Sequence, residues 1–218
     1  MRRVNRFRVT VVVDEREVDA HLPNSGRLTE LLTPERACWL EPAASSTRKT
    51  DFDLKLVAYG GTLVSVDARL PNPLLAEALE ARRLAPFKTW ESFAREVVLR
   101  ESRIDFRLVL PEGPVWLEAK SVTLVEGGVA RFPDAPTARG SRHLRALVRA
   151  VEMGQRAAVV FVVQRADAQS FAPHDEADPV FRETLRRAAD AGVRVLAWTC
   201  RVSLEGIGLA ERIPVALG

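Results

Sequence analysis

Cysteine is almost missing: Cys38 and Cys200 are the only two among 218 residues, and they lie far apart. That excludes a disulfide framework and a cysteine-based zinc site. Each thiol reads as a small buried residue. Histidine is nearly as scarce, and His21, His143 and His174 are too scattered for a His-based metal cluster. No apolar run approaches the roughly 20 residues that span a bilayer. The basic start MRRVNRFRV meets Asp14, Glu15 and Glu17 before a signal-peptide core can form. A soluble, cytoplasmic chain without a membrane partner is expected. There is no internal repeat and no low-complexity tract.

A marked excess of one charge sign is also missing. Thirty-two basic residues face 29 acidic ones, for a net charge of +3. Residues 1–70 hold 11 basic and 10 acidic groups, leaving 21 and 19 for the rest, so any binding face must be local. Lysine is rare: Lys49, Lys55, Lys88 and Lys120 are four of the 32, which leaves 28 arginines. A lone lysine in a special place therefore carries weight.

At 47% hydrophobic and 28% charged the chain is of globular composition, and its length suits one large domain or two small ones. Residues 6–13 and 16–22 read as strands joined by Asp14-Glu15. A short helical turn is expected after Pro23-Asn24-Ser25-Gly26, ending before Pro34. Strands follow at 37–42, 52–59 and 62–68, the last two joined by Gly60-Gly61, a strong hairpin signal. Five short strands in about 70 residues suggest a small barrel of the OB type. The pattern then changes. Residues 70–84 read as a helix with Asn72 as N-cap and Pro73 in first position. Strands at 92–100, 103–110 and 114–125, a helix at 139–154, a strand at 156–164, a helix at 179–192 and a strand at 193–202 complete an α/β layered domain. The expected division is an OB-like barrel over 1–70 and an α/β domain over 71–218, with a C-terminal tail free to return to the first domain.

The chemistry concentrates in two strands. Asp105 lies in SRIDF, and Glu118 and Lys120 lie in WLEAK. Period-two geometry puts Glu118 and Lys120 on one strand face. Pairing through a turn at 111–113 brings Asp105 to that face as well. Two adjacent carboxylates suit a hard divalent cation, Mg²⁺ or Mn²⁺, with the Ala119 carbonyl as a third donor. A lysine beside them can hold or help deprotonate a water. These are the parts for phosphodiester hydrolysis. The plainer reading is two surface carboxylates and a salt-bridged lysine, but apolar neighbours such as Ile104, Phe106, Trp116, Leu117 and Val122 weigh against it. Glu96, one strand away, reads as a surface glutamate or an extra acid. Gln155 reads as a substrate contact or a helix cap.

Arg139, Arg142, Arg145 and Arg149 form one stripe on the second helix of the α/β domain, and no acid lies between Asp134 and Glu152. Arginine suits phosphate recognition, so this stripe is the expected DNA-binding face, with His143 and Ser141 as added contacts. Arg27, Arg48 and Lys49 are the basic candidates of the first domain, beside the polar loop Asn24–Arg27. Trp39 and Phe52 read as base-stacking or, more plainly, as barrel core. No helix-turn-helix is evident.

The spacing D-x₁₂-E-x-K on adjacent strands after a helix resembles the PD-(D/E)xK nuclease-like superfamily, with Ile104 where that pattern usually has proline. HLPNSGRLTELL, the SRIDF–LEAKSVTL pair, FPDAPTARGSRHLRAL and EGIGLAERIPVAL together resemble the sugar fermentation stimulation protein A (SfsA) family, over nearly the whole chain. The resemblance implies an N-terminal OB-like domain, a PD-(D/E)xK-like α-β-β-β-α-β domain and DNA binding, with Asp105 and Glu118 as metal-binding acids and Lys120 as the catalytic lysine. The alternative is a non-catalytic transcriptional regulator of sugar metabolism on the same scaffold. A small-molecule or sugar-phosphate binder in the interdomain cleft is a remoter alternative.

Overall fold

A computed structural model of the chain describes residues 1–43 and 48–218. Among the described residues the first domain has six strands: β1 (Arg2–Asn5), β2 (Arg8–Val13), β3 (Arg16–His21), β4 (Cys38–Pro42), β5 (Phe52–Tyr59) and β6 (Thr62–Ser65). They form one sheet in the order β1-β2-β3-β5-β4, with β6 on the other part of β5. Strand alternation buries Val9 and Val11 of β2, and a register shift against β4 at Lys55 brings Leu54 and Val57 of β5, three apart, into the same core around Leu22, Leu28 and Leu31. The β5–β6 hairpin turns on Gly60 and Gly61, both at positive φ, as a two-residue turn requires. Asp14 and Glu15 turn β2 into β3 in the same left-handed conformation. The helical turn expected after Gly26 reduces to a single turn closed by Leu32 N–H to Leu28 O at 2.9 Å. Leu28 stands at φ 51°, from which a right-handed helix cannot start. Strand β1 is an arginine-rich edge without apolar alternation, and no sequence pattern announced it.

The second domain begins with α1 (Pro71–Glu80), followed by β7 (Ser92–Leu99), β8 (Ser102–Leu110), β9 (Gly113–Val122), β10 (Val125–Glu126), β11 (Val129–Phe132), α2 (Ala138–Glu152), β12 (Arg156–Val163), β13 (Ser170–Pro173), α3 (Pro179–Asp190), β14 (Arg194–Val202) and β15 (Ile207–Ile213). Six strands make one sheet in the order β15-β14-β12-β9-β8-β7. Strand β12 runs parallel to both β9 and β14, and the remaining pairs are antiparallel. Helix α1 covers one face, where Leu75 and Leu79 meet Phe106, Leu117, Ala158 and Val160. Helices α2 and α3 cover the other, where Leu144, Leu147, Phe181 and Leu185 meet Val159, Phe161 and Val163. Successive residues of β12 thus serve opposite cores, which is why its sequence is continuously apolar.

Two expectations are corrected here, and one sheet is added to those expected. Asn72 is not the cap of α1: Leu70 holds that position and Pro71 opens the helix. Proline needs no N–H partner in the first turn, so Pro71 starts the helix two residues earlier than Pro73 would. Asn72 then lies within the first turn with its amide free. The short strands β10, β11 and β13 form a separate three-stranded sheet. The tail, for which a return to the first domain was open, instead stays with the second. Strand β15 pairs antiparallel with β14, and Ala216 N–H reaches Phe171 O at 2.8 Å.

Polar groups join the domains. Ser65 N–H donates to Gln164 O at 3.0 Å, and Gln164 Nε2 donates to Ser121 Oγ at 2.9 Å. Leu28 N–H donates to Asp134 Oδ2 at 3.2 Å, and Gly26 lies so close that a Cβ there would collide with the Asp134 carboxylate. Arg165 is fully buried; Nε and Nη2 each reach Asp167 at 2.6 Å, and Nη1 reaches Thr123 O at 3.2 Å. Its guanidinium lies 5.0 Å from the ring of Tyr59 in the first domain. Arg165→Ala would leave Thr123 O and the inner side of Asp167 without a donor. A loss of about 3 kcal/mol is expected in urea unfolding, near the lower end for broken buried pairs because Asp167 is partly exposed. A loss below ~1 kcal/mol would show that the arginine only fills space.

Candidate functional site

The site follows from the register of one hairpin. Strands β8 and β9 pair from Leu110↔Gly113 to Phe106↔Leu117 across the two-residue turn Pro111-Glu112. The next pair in that register is Asp105 and Glu118, and there the ladder stops. Ile104 and Phe106, two apart, enter different cores, so β8 turns over at Asp105. The Asp105 carboxylate takes the place of the lost backbone partner: its Oδ2 accepts Ala119 N–H at 2.7 Å. Ala119, whose carbonyl is the expected third donor, also lends the site its N–H. The other oxygen of Asp105, Oδ1, accepts Asn72 Nδ2 from α1 at 2.7 Å.

Glu118 is 2% exposed. Its Oε1 accepts Lys120 Nζ at 2.5 Å and is also held by His143 Nδ1 of α2. Its Oε2 is buried without any hydrogen-bond partner. The strand period puts Glu118 and Lys120 on one face, as the spacing predicts, and that face is the one covered by α2. Glu96 faces Asp105 from β7, between the pairs Arg95↔Phe106 and Val97↔Ile104. Its backbone is left-handed in mid-strand, at φ 54°. Its Oε1 lies 3.4 Å from the same Asn72 amide, while Oε2 pairs with Arg103 at 2.8 Å.

The two inner carboxyls titrate apart. Burial, then the charge of Glu118, pushes Asp105 up to about 6, against the pull of the Ala119 N–H, Asn72 and Lys120. Burial alone would raise Glu118 too, but Lys120 and His143 hold it below the ordinary carboxylate range. Among the described residues, no group of three or more His, Cys, Asp or Glu side chains converges on one point. The side chains this site offers a cation are therefore the Asp105 and Glu118 carboxylates. This poverty suits Mg²⁺ or Mn²⁺, which keeps waters and takes substrate phosphate oxygens, rather than a caged zinc. The orphaned Oε2 beside a reluctant Asp105 fits such an ion.

Arg139, Arg142, Arg145 and Arg149 are all exposed along α2, whose Leu144, Leu147 and Ala150 face the sheet. They form a crest. A groove of about 610 Å³ lies between this crest and α3, lined by Arg145, Val148, Arg149 and Val180. A smaller one of about 150 Å³ lies toward the β7–β8 turn, lined by Arg100, Arg142 and Arg145. His143, expected among the DNA contacts, is instead 4% exposed and turned inward. It follows the buried Ser141 and precedes the buried Leu144, on the sheet side of the helix. In the first domain Arg27 and Lys49 are exposed, whereas Arg48 is paired with Asp53 at 2.5 Å. The loop Asn24–Gly26 lines an interdomain cleft of about 250 Å³ opposite residues 133–137. Gln155 lies outside the acidic site and accepts Trp116 Nε1 at 2.5 Å. Phe52 packs on the barrel core. Sequence reasoning missed Asn72 and His143 as partners of the carboxylates; the only available signal was a polar residue set beside an apolar helix face.

Comparison with known proteins agrees with this architecture. Residues 1–66 match the family model described as SfsA N-terminal OB domain, and residues 69–206 that described as sugar fermentation stimulation protein RE domain. A sugar fermentation stimulation protein homolog of Moorella thermoacetica is 47% identical over 218 residues, covering 99% of this chain and 94% of its own. One from Desulforamulus reducens is 46% identical, covering 99% and 90%. The solved structure of Pyrococcus furiosus SfsA, described as a complex with Ca²⁺, is similar with a TM-score of 0.90 at 32% identity, covering 99% of this chain and 93% of that one.

The raised carboxyl yields a stability test. A group whose folded pKa lies above its unfolded value weakens the fold as pH rises between the two. Ionising Asp105 thus costs the metal-free fold on the order of 3 kcal/mol at neutral pH. Asp105→Asn should stabilise the metal-free protein at pH 7.5 by about 1–2 kcal/mol, part of the relief being lost with the charged hydrogen bonds. The gain should shrink as pH falls from about 6 toward 4. Denaturant melts at both ends of that window measure it; a gain independent of pH would contradict the assignment.

Proposed function

The chain belongs to the sugar fermentation stimulation protein (SfsA) family, an OB domain followed by a mixed α/β domain, and from that premise we propose that it binds DNA largely without regard to sequence, carries a divalent-cation site on Asp105 and Glu118, and hydrolyses phosphodiesters there. The observation that carries this reading is the pair of facing carboxylates, one with a buried oxygen that has no partner and the other ionised with difficulty. A buried anionic pair of this kind calls for a cation. That the Pyrococcus relative was solved with Ca²⁺ supports the same reading. A bound Mg²⁺ or Mn²⁺ would supply Lewis acidity at a phosphoryl oxygen and a more acidic water.

The chain's own groups do the rest. Asp105 and Glu118 hold the ion. Lys120 Nζ, 2.5 Å from Glu118 Oε1, is the cation of the protein nearest the pair and is placed to orient a water and balance charge developing on the phosphate. The arginine crest of α2 gathers the phosphate backbone. The OB domain, a fold that often binds nucleic acid, supports DNA as the partner. No helix among the described residues is long and apolar enough to cross a membrane.

Two measurements test the reading. Calorimetric titration of Mn²⁺ should show one tight site in the wild type and none in Asp105→Asn; equal binding would overturn the metal site. With plasmid and single-stranded substrates in Mg²⁺ or Mn²⁺, Lys120→Ala should abolish cleavage while DNA affinity changes less than about twofold, because the lysine acts in the transition state. No cleavage by the wild type with any divalent metal would favour the non-catalytic regulator.

The DNA face has its own test. Phosphate contacts release counterions, about 0.9 per contact in a log–log salt plot on duplex DNA. Arg142→Ala combined with Arg145→Ala should weaken binding to unrelated duplexes by similar factors and lower the slope by roughly two. An unchanged slope would move the DNA face to the first domain, around Arg27 and Lys49.

A further inference from the structure

We propose that His143 is a positioning residue of the acidic centre: it fixes the rotation of the Glu118 carboxylate so that Oε1 is occupied and Oε2 is presented to the cation. The inference rests on the metal reading above and adds to it a residue from the helix layer.

Three observations carry it. First, His143 is 4% exposed and its Nδ1 lies against Glu118 Oε1. Second, its other nitrogen is also engaged: Arg139 Nε–H points at His143 Nε2 from 3.5 Å. A guanidinium can only donate, so Nε2 is the acceptor and the proton sits on Nδ1, which donates to Glu118. With both ring nitrogens in use, His143 is not itself a ligand. Third, the two oxygens of Glu118 are treated unequally. Oε1 takes two donors, His143 Nδ1 and Lys120 Nζ, whereas Oε2, equally buried, takes none. Half a rotation would only exchange two equivalent oxygens, so what the donors set is the plane of the carboxylate: a quarter turn would take one oxygen from its donors and swing the other away from its present direction. Lys120 is a flexible side chain on the same strand. His143 is a rigid ring anchored on α2, with Arg139 fixing its tautomer. The remaining histidines do nothing similar: His21 and His174 each contact a backbone carbonyl, of Phe7 and Pro133.

Partners that orient a metal ligand are commonly worth 10–100-fold in metal affinity. Mn²⁺ titration of the full chain without DNA should therefore give a Kd about 10–100-fold weaker for His143→Leu than for the wild type. His143→Asn, whose amide nitrogen stands where Nδ1 stood, should recover most of that loss. His143→Gln, whose amide stands in the place of Nε2, should not, and it replaces the leucine variant if that one fails to fold. Thermal melts of each metal-free variant separate packing from positioning. A wild-type Kd in His143→Leu, or equal weakening in the Asn and Gln variants, would overturn the inference. Absence of Mn²⁺ binding by the wild type would instead remove the metal reading itself, and His143 would be a core histidine.

Discussion

The interruption of one β-ladder organises the second domain. Backbone pairing between β8 and β9 ends where Asp105 would face Glu118. Two like charges directly opposite on a sheet repel, and buried N–H groups beside them still need acceptors. The fold meets both demands with the same side chains. Asp105 caps the N–H of Ala119. Asn72 comes from the layer on one side and His143 from the layer on the other, with Lys120 from the sheet itself. Each layer sends a polar group to this point, so the relative placement of α1, the sheet and α2 depends on it as much as on the apolar cores.

What was legible in the sequence was whatever depends on short-range periodicity. The hairpin spacing placed Asp105 across from Glu118, and the two-residue period put Lys120 beside Glu118, because strand geometry leaves little freedom. The arginine stripe and the apolar face of α2 follow from helical spacing in the same way. The two partners that complete the site were not legible. Asn72 sits 33 residues before Asp105, and Asn-Pro ahead of an apolar run is an ordinary cap signal; only the earlier start at Pro71 frees its amide. His143 lies at the border between the exposed stripe and the buried face. Its direction depends on a few tens of degrees of helix rotation, which tertiary packing sets. Strands β10, β11 and β13 are too short to show a period, and β15 buries only one end of its run, so neither pattern rises above loop.

Abundance of arginine obscured its roles. Residues that look alike in sequence do different work: Arg165 is a buried interdomain tie, Arg48 neutralises Asp53, and Arg139 orients a histidine. Arg142, Arg145 and Arg149 stand exposed. Only burial and pairing separate these groups, and neither is written in local sequence. The lysines are more telling because they are few; Lys120 is 12% exposed in its side chain and touches Glu118, whose second oxygen is buried without a partner.

The half-paired state of β9 explains how the site is both rigid and open. On one side β9 stays hydrogen-bonded to β12 through Val159↔Glu118 and Phe161↔Lys120, up to Val122↔Val163. On the other side it is free of β8 beyond Leu117. Parallel pairing within the apolar core holds the Glu118 and Lys120 backbones in place, while the lost antiparallel partner leaves room beside them. The titration asymmetry follows from the same arrangement. Glu118, on the anchored strand with two cationic or hydrogen-bonding partners, keeps its charge. Asp105, on the strand that turns away, is raised by burial and then by the charge of Glu118, and ionises after it. On the proposed reading, Glu118 is the fixed anchor for an arriving cation and Asp105 the second carboxylate, which the ion itself helps to ionise. Metal uptake would then release a proton near pH 6. A fully paired hairpin would forbid this division of roles, because both carboxylates would share one rigid ladder and one environment.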